Sequence, residues 1–133
     1  MKSYKELEVW RRGVHLVTEV YKITRKFPPE GRDGLTSQIQ RAGASVPANI
    51  AEGWGRSSTK ESLMFLRSAR GALLELETHF IIARNFFYVE QEELVRIQKE
   101  IESIGMMINR LIESLQKARI PESGLRIPGT GEG

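Results

Sequence analysis

Apolar residues recur three and four positions apart through three stretches of the chain. The first series runs Leu7, Trp10, Val14, Val17, Tyr21 and Thr24. A later one runs Leu66, Ala69, Leu73, Leu76, Phe80, Ala83 and Phe87, and the last runs Leu94, Ile97, Ile101, Ile104, Ile108, Leu111 and Leu115. Each series lays one apolar stripe along a helix, and the stripe has to pack against another helix. Between the first two lies a less regular stretch: Leu35, Ile39, Ala42, Val46 and Ile50. It holds Gly43 and Pro47, four residues apart. A helical proline clashes with the carbonyl four residues back and leaves it without a donor. A glycine at that position gives the chain room to bend. The spacing predicts one helix over 33–53, kinked at Pro47, rather than two short ones.

Local signals mark the boundaries. Ser3 with Glu6, and Ser58 with Glu61, have capping-box spacing. Phe27-Pro28-Pro29 ends the first helix, Asp33 is placed to cap the second, and Gly53 and Gly55 break it before the third. The turn near Tyr88–Gln91 contains no strong breaker. The expected architecture is all-α: an antiparallel up-down-up-down four-helix bundle over residues 1–117, with short loops. Residues 118–133 read ARIPESGLRIPGTGEG with Ala118 at their head, a Gly- and Pro-rich tail expected to be flexible.

Two helices carry more apolar surface than one seam uses. The first has a second column at Val9, Leu16 and Ile23, and the third has Leu74, Ile81 and Tyr88 off the seam. Monomers rarely leave such columns in water. These six residues are therefore the expected interface of a self-associating protein, either a dimer or a closed ring. The competing reading is a wide core-facing arc, which bundle helices often use.

Composition narrows the function classes. With 133 residues and no cysteine, the chain holds one domain and no disulfide or thiolate metal site. No apolar run is long enough to span a bilayer. The first residues lack the apolar core of a secretion signal, so a cytoplasmic location is expected. The net charge of +3 is uneven: residues 1–60 hold 11 Lys/Arg against 6 Asp/Glu. A basic half of this kind suits phosphates or an acidic partner.

No chemistry-bearing constellation stands out. There is no phosphate loop and no nucleophile elbow. Glu75 and His79 are four apart, not the three of a di-iron motif, and no second pair exists. His15 and His79 read as surface or interface residues. No metal, cofactor or small-molecule substrate is indicated, and the protein is read as a non-enzyme. The candidate nucleic-acid contacts are Arg11, Arg12, Lys22, Arg25, Lys26, Arg41, Arg56 and Lys60. Arg11, Arg12, Arg25 and Lys26 are expected on the polar side of the first helix. The other unusual patch runs Ser45 to Arg56 and contains Asn49, Glu52, Gly53 and Trp54. Asn49 could bond across the bundle and fix its register. Glu52 could pair with Arg56 or accept backbone donors at the turn, and Asn49 and Glu52 could instead grip a ligand. Trp54 is expected to pack rather than to stack on a base.

At these residues the sequence resembles a four-helix bundle family. That family includes proteins encoded in intervening sequences of 23S ribosomal RNA genes and the accessory variability determinant of diversity-generating retroelements. The matching stretches are Tyr4-Lys5-Glu6-Leu7-Glu8-Val9-Trp10, Phe27-Pro28, Gly34 to Ala42, Ser45 to Gly53, Gly55-Arg56 and Leu73 to Thr78. The resemblance covers about residues 4–116, with Asn49, Glu52 and Gly53 in the most specific block. The resemblance implies an antiparallel bundle able to assemble as a pentameric ring. For the retroelement members it also implies binding of nucleic acid and of a reverse transcriptase through a basic surface. This chain is less basic than that role favours, and Glu90, Glu92, Glu93, Glu100 and Glu102 would repel phosphate if they faced the same side. Membership does not transfer a function. The leading expectation is a homo-oligomer that binds structured RNA or DNA through a repeated basic surface. The alternative is a protein-interaction scaffold with no nucleic-acid binding.

Overall fold

The structure is a computed structural model that describes residues 2–29 and 32–119, the side chains of Arg32, Asp33 and Arg119 excepted. Four helices follow one another: α1 (Glu8–Thr24), α2 (Ser37–Trp54), α3 (Thr59–Asn85) and α4 (Gln91–Arg119). Each packs beside the next, and α4 returns to lie beside α1, so α1 and α3 are diagonal. This is the four-helix bundle that the periodicity predicts. Residue 118 still belongs to α4, and the tail from residue 120 lies outside the described residues.

The α2, α3 and α4 stripes are buried as expected, apart from Phe87 at the end of the α3 series, which is 81% exposed, and Leu35, Leu111 and Leu115, which are half-buried. Ile39, Ala42, Val46 and Ile50 meet Leu66, Ala69, Leu73, Leu76 and Phe80, with Leu94, Ile97, Ile101, Ile104 and Ile108 closing the core. Helix α1 departs from the expectation. Its buried column is Val9, Leu16, Val20 and Ile23, the set read from sequence as surplus. Of the series expected to be the seam, Thr24 is buried and Leu7 and Trp10 pack against the core, while Val14 (39% exposed) and Tyr21 (47%) face outward and Val17 is half-buried. Glycine decides the rotation. A Cβ on Gly13 would lie 3.3 Å from the Pro47 Cβ, so α1 approaches α2 more closely there than a larger residue permits. Gly43 faces Val20, but a Cβ there would sit at 3.7 Å, an ordinary contact distance.

Helix α2 runs unbroken through Pro47 from Ser37 to Trp54. It starts later than residue 33, because Arg32–Thr36 form a π-helical turn and Thr36 is the N-cap, with no side-chain cap bond. The cap expected of Asp33 falls on a side chain outside the described residues. Ser58 caps α3 by accepting from the Glu61 N–H at 3.1 Å. Ser3 instead caps a short 3₁₀ turn, Tyr4–Glu6, and α1 begins only at Glu8.

The α3–α4 turn shows why its sequence carried no breaker. The Phe87 N–H bonds the Arg84 carbonyl and the Tyr88 N–H bonds the Ala83 carbonyl, both at 2.9 Å. This pairing is a Schellman motif, which normally places glycine in the left-handed position. Here Phe87 takes that position with φ 62°, and its ring is 81% exposed.

Charge fastens α1 to α4. Arg12 holds Glu100 with both arms of its guanidinium, at 2.9 and 3.3 Å, and donates to the Ser103 hydroxyl at 2.8 Å. The Glu100 hydrogen bond raises the Arg12 pKa against the opposing effect of burial. Lys26 pairs with Glu93 in the first turn of α4. Burial disfavours the Glu93 carboxylate. The Lys26 hydrogen bond, the Glu90 N–H and the Lys26 and Arg96 charges outweigh it and hold the pKa below the usual value.

Two outcomes follow for stability. Phe87→Gly should raise the unfolding free energy by about 1 kcal/mol, because an L-residue in the left-handed region is strained and this ring covers little; a urea melt reads the change, and a loss would contradict the assignment. Glu93 has a lowered folded pKa, so its contribution is present above the unfolded value near 4.3 and fades as pH falls through the folded one. Glu93→Gln should therefore cost about 0.5 kcal/mol at pH 7, after allowing for screening of the exposed Lys26. That gap should close below about pH 4 in melts across pH; a gap that persists in acid would contradict the pairing.

Candidate nucleic-acid and assembly surfaces

The eight basic candidates separate once their partners are drawn. Arg12 and Lys26 point toward α4 and are held by Glu100 and Glu93. In this geometry both act as tethers between α1 and α4. Arg56 pairs with Glu52 and lies over the Phe65 ring at 4.7 Å, so it too is engaged. Arg11, Lys22 and Arg25 project from the solvent face of α1. Lys22 makes only an exposed 3.6 Å pair with Glu19, and Arg11 donates to the Lys5 carbonyl at 3.0 Å. Among the described residues, Arg25, Arg41 and Lys60 form no salt bridge. Arg11 and Arg25 are 14 residues apart on one helix, about 21 Å along its axis. Arg41 sits near the start of α2, at the Arg25 end, and Lys60 at the opposite end.

The acidic residues expected to repel phosphate are placed so that part of their charge is cancelled. Glu93 and Glu100 face α1 and neutralise Lys26 and Arg12. The first 29 residues carry seven Lys/Arg and three Asp/Glu. With two of those cations turned toward α4, the outer face of α1 keeps a positive column.

The apolar surplus exists, but not where the sequence reading placed it. Val9, Leu16 and Ile23 are core residues and cannot be an exposed interface. Tyr88 is half-buried, 5.4 Å from the Phe27 ring and stacked on Phe86. Leu74 and Ile81 remain exposed, Leu74 at 62%. The outward residues of α1, Val14 and Tyr21 with half-buried Val17 between them, were missed as a surface because their spacing mimics a seam. On the other side of the bundle, a groove of about 530 Å³ runs between α3 and α4, with Leu74, Val95, Gly105 and Met106 among its walls. The two apolar surfaces therefore lie on opposite faces.

The residues of the specific block hold the structure together locally. Asn49 donates to the Ser45 carbonyl at 2.8 Å and to its hydroxyl at 2.9 Å, a bond within α2 rather than across the bundle. Gly53 lets α2 close on α3: a Cβ there would lie 3.2 Å from the Ser62 carbonyl oxygen, and the Ser62 hydroxyl donates to the Gly53 carbonyl at 2.8 Å. Glu52 is exposed and pairs with Arg56 as expected. Trp54 is 41% exposed beside an apolar crevice that includes Leu7, Ile50 and Leu66. His15 is exposed in the α1–α4 cleft, and His79 shares a 2.8 Å bond with the Glu75 carbonyl. Among the described residues no group of three or more His, Asp or Glu side chains could hold a metal ion. No helix among them is long and apolar enough to cross a membrane.

Comparison with known proteins places this geometry. A crystal structure of a Bacteroides thetaiotaomicron protein of unknown function, from the S23 ribosomal protein family, shares the fold with a TM-score of 0.71. It is 20% identical, and the match covers 78% of this chain and 97% of that one. No curated protein matches. Residues 5–110 match the family described as 23S rRNA-intervening sequence protein. Spanning most of the four helices, that match makes the chain a member of the 23S rRNA-intervening sequence protein family.

Proposed function

We propose that the protein is a non-enzymatic homo-oligomer that binds structured RNA or DNA through the outer face of α1. The observation that carries this reading is the sorting of α1's cations. Arg12 and Lys26 are consumed by α4, while Arg11, Lys22 and Arg25 remain on the solvent side of the helix. A single copy offers few phosphate contacts, and each neutralised phosphate adds to counterion release. Repetition of the face in an assembly multiplies those contacts.

Assembly is supported by the two apolar surfaces on opposite faces. A contact between unlike patches is head-to-tail, and it closes into a ring when the rotation per copy permits. The α1 stripe of one copy against the α3–α4 groove of the next is such a contact. Pentameric closure agrees with the family resemblance. The same basic face is the one that an adaptor to a reverse transcriptase would use.

Two experiments test this. In a gel-shift series against potassium chloride with a structured RNA, Arg11→Gln/Arg25→Gln should lower affinity about tenfold or more at low salt. It should also reduce the slope of log K against log salt by about 2. An unchanged slope would remove this face from the binding surface. Light scattering should give an oligomer for the wild type, and Tyr21→Asp and Leu74→Asp should each shift the mass toward the monomer, since a charge at a packed apolar interface is strongly disfavoured. A monomeric wild type would overturn the assembly.

A further inference from the structure

Where α1 and α3 begin and α2 and α4 end, the bundle is not fully closed. A crevice of about 290 Å³ opens there, walled by Leu7, Ile50, Trp54, Leu66, Leu111 and Leu115. It is the uncovered end of the core. Along the α4 series Ile101, Ile104 and Ile108 are buried, but Leu111 and Leu115, the next two, are only half-buried. Trp54 stays 41% exposed at the same place. Arg56 is the one charged residue of the lining, and Glu52 and the Phe65 ring already engage it. The crevice therefore offers apolar contact rather than a charged socket. Its volume lies at the lower limit of small-molecule pockets and suits a few side chains.

The chain itself supplies an occupant. Helix α4 passes the crevice at Leu111 and Leu115 and is described to Arg119. Arg119 is four residues beyond Leu115 and eight beyond Leu111, so the crevice lies about 6 to 12 Å back along the helix axis. The residues that follow, Ile120-Pro121-Glu122-Ser123-Gly124-Leu125-Arg126-Ile127-Pro128, lie outside the described ones. Their sequence favours a reversal: proline at 121 opposes further helix, and Gly124 permits a tight turn. Leu125 is six residues past Arg119, a reach of up to about 20 Å, which exceeds the return distance. In an extended segment Leu125 and Ile127 share one face and Arg126 takes the other. We propose that the crevice seats the chain's own Leu125-Arg126-Ile127 segment, with Leu125 and Ile127 against Trp54, Leu111 and Leu115. The short tether selects the same chain over a neighbour's, because it holds the segment at an effective concentration on the order of millimolar. The docked pair covers the end of the α4 seam and removes its apolar surface from water. The inference is independent of the nucleic-acid reading above.

The test uses the full chain, as wild type and as Leu125→Ser/Ile127→Ser. Both substituted residues lie outside the four helices, so the packing of the bundle itself is untouched. The indole resonances of Trp10 and Trp54 report, and Trp10→Phe assigns them. In the wild type, nuclear Overhauser contacts should join the Leu125 and Ile127 methyls to the Trp54 indole. The double substitution should shift the Trp54 resonance and leave that of Trp10 in place. It should also lower the melting temperature by about 4 °C, as two apolar side chains lose their cover. A mixture of isotope-labelled and unlabelled copies identifies the source of the segment. Contacts confined to labelled chains support docking within one chain, and contacts between labelled and unlabelled copies overturn it in favour of exchange between copies. Absence of the contacts, with the Trp54 resonance and the melting temperature unchanged in the variant, overturns the docking altogether.

Discussion

The rotation of α1 about its own axis governs this molecule. Two apolar columns compete for the core, Val9-Leu16-Val20-Ile23 and Trp10-Val14-Val17-Tyr21, and both have helical spacing. Only the first can be inside, because it carries Gly13 beside it and Gly13 is where α1 meets Pro47. A side chain there would hold the helices apart and open a void between them, and protein interiors tolerate neither gap nor overlap well. Pro47 thereby acquires a packing role beyond its local effect on α2. Its ring presents a rigid surface on which a glycine can lie.

That rotation fixes the rest of the surface. It turns Arg12 and Lys26 toward α4, where Glu100 and Glu93 meet them, and turns Arg11, Lys22 and Arg25 to solvent. It also exposes an aromatic and aliphatic stripe, opposite the α3–α4 groove. Charge and apolar surface are thus sorted by one steric decision. The same decision brings the end of α1 against the start of α2, where Gln40 reaches Thr24.

Much of this was legible in the sequence. The stripes of α2, α3 and α4 named most of their buried residues, with Phe87 at the end of the α3 series the clearest exception. Helix α1 was misread because two columns of similar hydrophobicity cannot be ranked by period alone. The available signal was Gly13 itself: an isolated glycine inside a helical pattern usually has a packing reason. The α3–α4 turn was hard to place because Phe87 occupies the left-handed position that glycine normally announces. Asn49 looked like a cross-bundle residue from its register but bonds one turn back to Ser45. Basic residues were easy to list and hard to sort, because whether a cation is free depends on partners such as Glu93 and Glu100, more than sixty residues away.

The absence of native cysteines allows the central claim to be tested by placement of single thiols. Val14→Cys protein and Leu74→Cys protein are each treated with a short bismaleimide, alone and as an equal mixture. If the α1 stripe of one copy sits on the α3–α4 groove of the next, the mixture gives cross-linked pairs and neither protein alone does so efficiently. Cross-linking of Val14→Cys with itself would mean a two-fold contact through α1. The absence of cross-links in the mixture would mean that these faces do not meet, and the outward rotation of α1 would have no assembly to serve.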